Sequence, residues 1–184
     1  MPTVIVPFRR ENAKARLAPL PEEARGTLAT AMFADVLAAA DALGGVTIVA
    51  PENNQGEAVE TALRRAGSRP ILVVNADLPC AEPRDLLALL GALPDGGMAL
   101  VEAPDGTTNA LALSAPHLFA PLYGPGSANR FRARAERLGV PVASAAIPNL
   151  VDDVDTVDDL ERLESRLGPH TAAALGELHA DLVP

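Results

Sequence analysis

Short β-branched apolar runs alternate with longer alanine- and leucine-rich stretches along all 184 residues. Residues 4–6, 46–50 and 71–74 are too short for buried helices and carry the branching that suits strands. Between them, residues 22–43 set Leu28, Met32, Val36 and Leu43 near helical spacing, and Gly44-Gly45 ends the run. Residues 56–66 read as a second helix, stopped by Gly67, and Pro83 opens a third that runs to about residue 93. Two more strands are expected over 98–101 and 110–113, separated by a turn-rich stretch. A helix is expected from about 128 to 138 and a strand over 140–146. Thr156 suits the cap of a helix reaching Leu167, and a short helical tail is expected over 171–182. This alternation specifies an α/β fold with a mostly parallel sheet. The length fits one domain over 1–184, with its motifs within about 3–165. Such sheets bind ligands beyond the carboxyl ends of their strands, so the residues expected there matter most.

Charge excludes several functions. The net charge is −9 at pH 7, which argues against a general nucleic-acid binder. No apolar run is long enough to cross a bilayer, and the N-terminus reads as a strand, so a cytoplasmic protein is expected. One cysteine, Cys80, rules out an internal disulfide framework and a cysteine-rich zinc site. The cations are concentrated: Arg9, Arg10, Lys14 and Arg16 form one cluster, and Arg130, Arg132, Arg134 and Arg137 a second. Each reads either as a small anion site or as a solvated face. Lys14 is the only lysine in the chain and stands in the loop after the first strand, where a compact ammonium suits a phosphate.

Three further sets of residues could carry chemistry. Asp77 follows the 71–74 run and precedes Leu78-Pro79; it reads as a divalent-cation ligand or as a turn aspartate. The segment 151–159 holds five aspartates. Asp158 and Asp159 suit the first turn of the following helix. Asp153 and Asp155 lie before it, two apart on an extended stretch, and so share a face that can point toward Asp77. Helix capping and a solvated acidic turn are the competing reading. Gly124-Pro125-Gly126-Ser127 precedes a helix and offers backbone N–H groups and a hydroxyl to an anion, or forms an ordinary turn. Thr107, Thr108 and Asn109 bring hydroxyl and amide groups in an earlier loop. His117, His170 and His179 are scattered without metal-ligand spacing, and Cys80 reads as a packing residue.

In chain order these pieces are Val6-Pro7-Phe8, Ala13-Lys14-Ala15-Arg16-Leu17, Asn75-Ala76-Asp77-Leu78-Pro79-Cys80, Gly106-Thr107-Thr108-Asn109-Ala110-Leu111, Gly124-Pro125-Gly126-Ser127 and Asp153-Val154-Asp155-Thr156. Together they resemble the 2-phospho-L-lactate guanylyltransferase family, whose bacterial members are phosphoenolpyruvate guanylyltransferases acting in coenzyme F-420 biosynthesis. The Asp-Leu-Pro piece is shared with the wider molybdenum-cofactor and sugar nucleotidyltransferases.

The resemblance implies a Rossmann-like nucleotidyltransferase fold with a mixed, mostly parallel sheet flanked by helices. It implies that Pro7, Lys14, Arg16, Gln55 and Gly56 stand on the GTP side. Asp77 with Asp153 or Asp155 would hold Mg²⁺, and Lys14 and Asp77 would be catalytic. Thr108, Gly124 and Ser127 would bind the carboxylate end of a phosphorylated three-carbon acid. Transfer of GMP to phosphoenolpyruvate or 2-phospho-L-lactate, with loss of pyrophosphate, is the implied reaction. A homodimer is one allowed assembly. Two departures stand out: residues 51–55 form a shorter loop than relatives carry, and Asn75 stands where some relatives have an acid. A molybdenum-cofactor nucleotidyltransferase using GTP or CTP, and a nucleotide-binding module without catalysis, remain the alternatives.

Overall fold

Alternate residues of the first strand are buried on opposite faces, and this fixes the layout of the whole molecule. The computed structural model describes residues 1–8, 17, 20–50, 54–67 and 70–181. The strands are β1 (Thr3–Pro7), β2 (Val46–Ala50), β3 (Ile71–Val74), β4 (Met98–Glu102), β5 (Thr108–Leu113) and β6 (Val142–Ser144). The helices are α1 (Glu22–Asp41), α2 (Gln55–Leu63), α3 (Pro83–Gly91), α4 (Ser127–Leu138), α5 (Pro148–Val151), α6 (Val157–Leu163) and α7 (Pro169–Asp181). Ile5, Ile71, Val73, Leu100 and Leu111 face α2 and α4, whose Val59 and Phe131 meet them. Val4, Val6, Leu72, Val74 and Val101 face the other way, onto Val36 of α1, Leu86 and Leu89 of α3, and Leu150 of α5. Period-2 burial on both faces is what a central sheet between two helical layers requires.

The strand order is β2-β1-β3-β5-β4-β6. β1 pairs in parallel with β2 and β3, and β4 with β6. β5 is antiparallel to both β3 and β4. The sheet is therefore mixed and mostly parallel, as expected. The reversal of β5 has a consequence for the site. Val74 at the end of β3 pairs with Ala110, and the Asn75 N–H donates to the Asn109 carbonyl at 3.0 Å. The start of β5 thus lies beside the carboxyl end of β3, and Thr108 comes to the same edge as Asp77.

Several boundaries differ from the sequence reading, among them the ends of α1, α2 and α3 at Asp41, Leu63 and Gly91, short of the expected 43, 66 and about 93. The strand expected over 140–146 is only Val142–Ser144, because the chain then turns into α5, a single turn opened by Pro148 that was not anticipated. The helix expected to reach Leu167 gives way to a 3₁₀ turn over Glu164–Arg166. The expected β5 extends back to Thr108, and the tail helix starts at Pro169.

That last start has a distant cause. Asp35 of α1 is buried and accepts from the His170 N–H at 3.0 Å, the Thr171 N–H at 2.9 Å and the Thr171 hydroxyl at 2.6 Å. A carboxylate at a helix N-terminus satisfies N–H groups that have no partner within the helix. Gly168 is required beside it, since a Cβ there would strike the Asp35 carboxylate. The same contact region buries Leu28 and Met32 of α1 with Leu175 of α7 and Leu160 and Leu163 of α6. Among the described residues, no helix is long and apolar enough to cross a membrane.

Candidate active site

The carboxyl edge of the sheet gathers most of the described candidate residues. Asp77 stands just past β3, and Asp153 and Asp155 come from the segment between α5 and α6. One carboxylate oxygen from each lies within 4.8 Å of the other two. Three carboxylates so close repel one another unless a cation or a proton lies among them. Their backbone is fixed: the Val154 N–H donates to the Asp77 carbonyl at 3.0 Å, and Val154 itself is fully buried. A buried Val154 turns its two neighbours to the opposite face, as the two-residue spacing predicts.

Two of the other aspartates of this segment are paired. Asp152 pairs with Arg162 at 2.9 Å and with Arg166 at 2.5 Å. Burial pushes its carboxyl up, and the hydrogen bonds from Arg166 and Arg162 outweigh this and hold it below the usual range. Asp159 receives the Arg162 guanidinium at 3.0 Å, the Thr156 N–H at 2.9 Å and the Thr156 hydroxyl at 2.8 Å. Burial acts upward on it too, yet Arg162 and Thr156 bring it down to about 2. Thr156 in turn accepts from the Asp159 N–H, which completes a capping box for α6. The two readings of the acidic segment thus both hold, for different residues: capping for Asp159, convergence on Asp77 for Asp153 and Asp155.

The fit to a metal is good. All three donors are hard carboxylate oxygens, and three such ligands leave room for water and substrate phosphate, which suits Mg²⁺.

On the other side of Asn75 lies a hydroxyl pair. Ser127 Oγ donates to Thr108 Oγ1 at 3.1 Å, with both residues buried. One hydroxyl proton is spent within the pair, so one remains for a ligand. The expected N–H cradle at the start of α4 is reduced. The Ser127 N–H donates to the Gly124 carbonyl at 3.0 Å, and the Ala128 N–H to the Gly106 carbonyl at 3.3 Å. Gly124, at φ +106°, and Gly126, at φ +69°, occupy backbone conformations that only glycine adopts without strain.

Pro7 closes β1, and Lys14 and Arg16 lie outside the described residues. Gln55 and Gly56 open α2. The Gln55 amide donates to Asn75 Oδ1 at 2.6 Å, and Asn75 Nδ2 donates to the Thr108 carbonyl at 3.3 Å. This link from α2 through Asn75 to β5 was not foreseen. The Gly56 N–H is held by Asn54 Oδ1 at 2.9 Å, and a Cβ at Gly56 would sit 2.6 Å from Pro121 Cβ. Its glycine identity follows from that close approach.

In the second arginine cluster, Arg130, Arg132 and Arg134 are engaged within the protein. Arg130 donates to the carbonyls of Leu122, Tyr123 and Pro125, with its shortest contact 2.5 Å. Arg134 does the same for His117, Leu118 and Phe119. Arg132 pairs with Glu102 at 2.6 Å. The guanidiniums of Arg130 and Arg134 pin the loop that leads into the Gly124–Ser127 turn. Nothing in the sequence distinguishes a carbonyl clamp from a phosphate clamp, because the acceptor is main chain from residues brought close by folding. Cys80 is buried; burial pushes its thiol up, while Arg166 pulls the other way, so it is not a ready nucleophile.

No protein-family model matches the chain. It is 34% identical to a phosphoenolpyruvate guanylyltransferase from Geodermatophilus obscurus, over 95% of this chain and 94% of that one. It is 33% identical to one from Sphaerobacter thermophilus, over 86% and 90%, and 35% identical to one from Conexibacter woesei, over 95% of each. The Geodermatophilus alignment runs over 205 positions against 184 residues here, so that relative carries insertions this chain lacks. Among solved structures, the fold matches a protein classed as a nucleotide-diphospho-sugar transferase from Desulfovibrio desulfuricans, with a TM-score of 0.72 at 17% identity over 97% and 95% of the two chains. It also matches a nucleotidyl transferase from Methanothermobacter, with a TM-score of 0.58 at 17% identity over 89% and 95%.

Proposed function

The chain belongs to the phosphoenolpyruvate guanylyltransferase family, and we propose that it transfers GMP from GTP to the phosphate of phosphoenolpyruvate, with Mg²⁺, in coenzyme F-420 biosynthesis. The convergence of Asp77, Asp153 and Asp155 at the carboxyl edge of the sheet is the observation that carries this reading.

An oxygen of the acceptor phosphate attacks the α-phosphorus of GTP. A phosphorus–oxygen bond forms there, and the bond from the α-phosphorus to the bridging oxygen breaks. Pyrophosphate leaves with that electron pair, and enolpyruvoyl-2-diphospho-5′-guanosine remains. The acceptor phosphate is already anionic near neutral pH, so no side chain has to remove a proton. The difficulty is to bring two polyanions together in line. Mg²⁺, when bound, offsets the phosphate charge. Asp77, Asp153 and Asp155 hold it. Lys14 and Arg16, with Pro7, Gln55 and Gly56, form the GTP side, and Lys14 faces its phosphates. Thr108, Gly124 and Ser127 take the carboxylate end of the acceptor, where one remaining hydroxyl proton and the turn orient it. The substrates are small soluble anions, which suits a cytoplasmic enzyme without nucleic-acid or membrane partners.

The test is pyrophosphate release with Mg²⁺ and GTP, offering phosphoenolpyruvate, 2-phospho-L-lactate and 3-phospho-D-glycerate in turn, with ATP and CTP as controls. Release with GTP and phosphoenolpyruvate is expected. Silence with all three acids, from folded protein, would overturn the reading and favour a molybdenum-cofactor-type transferase or a non-catalytic binder.

A further inference from the structure

The asparagine of the Thr108-Asn109-Ala110-Leu111 run is taken up by neither substrate side, yet Asn109 is 1% exposed. Burying an amide is costly unless its polar atoms are used. Its main-chain carbonyl accepts from the Asn75 N–H at 3.0 Å, on the strand end that leads to Asp77. Its side-chain Nδ2 donates to the Val151 carbonyl at 2.9 Å, 42 residues away, on the segment that leads to Asp153 and Asp155. The amide orientation is set by chemistry, because the Val151 carbonyl can only accept. Oδ1 is buried and accepts no hydrogen bond among the described residues, so the donor alone holds the side chain in place.

Both arms of the carboxylate triad are therefore fastened to one residue. Asp77 arrives two residues beyond Asn75, and Asp153 two residues beyond Val151. The Val154–Asp77 bond closes the far side. Three carboxylates need such a fastening, since their mutual repulsion drives the two arms apart when no cation is present. We propose that Asn109 is a positioning residue for the divalent cation: it sets the spacing between Asp77 and the Asp153–Asp155 pair without touching the ion or the substrates. This rests on the triad being the metal site.

Mn²⁺ binding to the full chain, without nucleotide, tests it by electron paramagnetic resonance or calorimetric titration. Wild type is expected to bind, and Asp77→Asn to lose binding. Asn109→Ala is expected to weaken Mn²⁺ binding roughly ten- to hundredfold, the usual cost of removing a group that orients a ligand. Excess Mg²⁺ is expected to restore most of its turnover, a rescue that a general loss of structure would not show. Asn109→Ser keeps a donor on a shorter arm, which reaches the Val151 carbonyl less well, and is expected to fall between the two. Wild-type affinity in Asn109→Ala, with binding lost in Asp77→Asn, would overturn the role of Asn109 and leave the metal site standing. No Mn²⁺ binding to wild type would overturn the metal site itself. Failure of both Asn109 variants to fold would also overturn the proposal, by making the residue's role one of fold alone.

Discussion

Asp77 meets Asp153 and Asp155 across a gap of more than seventy residues of chain, and each contributes an oxygen to one small volume. Asp77→Asn keeps the shape and removes one negative charge. Turnover is expected to fall by a factor on the order of a hundred or more, with the melting temperature unchanged or raised as repulsion is relieved. Steady-state rates and a thermal melt on the same preparation check this; near-normal activity would remove Asp77 from the site. Ser127→Ala separates the two substrates. A hydrogen bond to a charged group is worth about 1.5–3 kcal/mol, so the KM for the acceptor is expected to rise roughly tenfold or more while that for GTP moves little. Equal rises in both would make the turn structural. The triad was legible because its signal is local: a carboxylate past a buried strand, and two more at a spacing of two. The clamp of Arg130 on the carbonyls of Leu122, Tyr123 and Pro125 was not, since main-chain acceptors leave no mark in the side-chain pattern.

At the scale of elements, α6 offers a pH test. The folded carboxyl of Asp159 is held down to about 2, below its ordinary value of 3.8. A lowered pKa means stability that is fully present above the unfolded value and lost as pH falls through the folded one. The melting temperature of wild type is therefore expected to exceed that of Asp159→Asn at pH 5 to 7 and to converge on it between about pH 4 and pH 2. A constant gap across that window would show that the Thr156 box does not depend on charge. The capping box itself was readable, because Thr156 and Asp159 carry both halves of it three residues apart. The direction of β5 was not. An apolar run reads the same in either direction, and only pairing with β3 and β4 decides it. The turn of α5 was missed for a related reason: at four residues it is too short to show a period.

For the whole molecule, ligand linkage is the direct measure. Mg²⁺ with GTP at about a hundred times its dissociation constant is expected to add about 2.7 kcal/mol, or roughly 5–10 °C in melting temperature for a chain of this size. EDTA is expected to abolish the shift, and a shift that survives it would place nucleotide binding apart from the carboxylates. Neither the strand order nor the fastening of α7 onto α1 was legible in the sequence, because both rest on pairings between distant residues. Asp35 and the nearer of the N–H groups that satisfy it stand 135 residues apart. Without those groups its carboxylate has to stay in water, because burial without donors is too costly. The face of α1 that carries Asp35 therefore needs α7 to close it, whereas the face that carries Val36 packs on the sheet without that helix. The clasp thus makes the seal between two helices far apart in the chain depend on a single carboxylate, and loosening either helix exposes it.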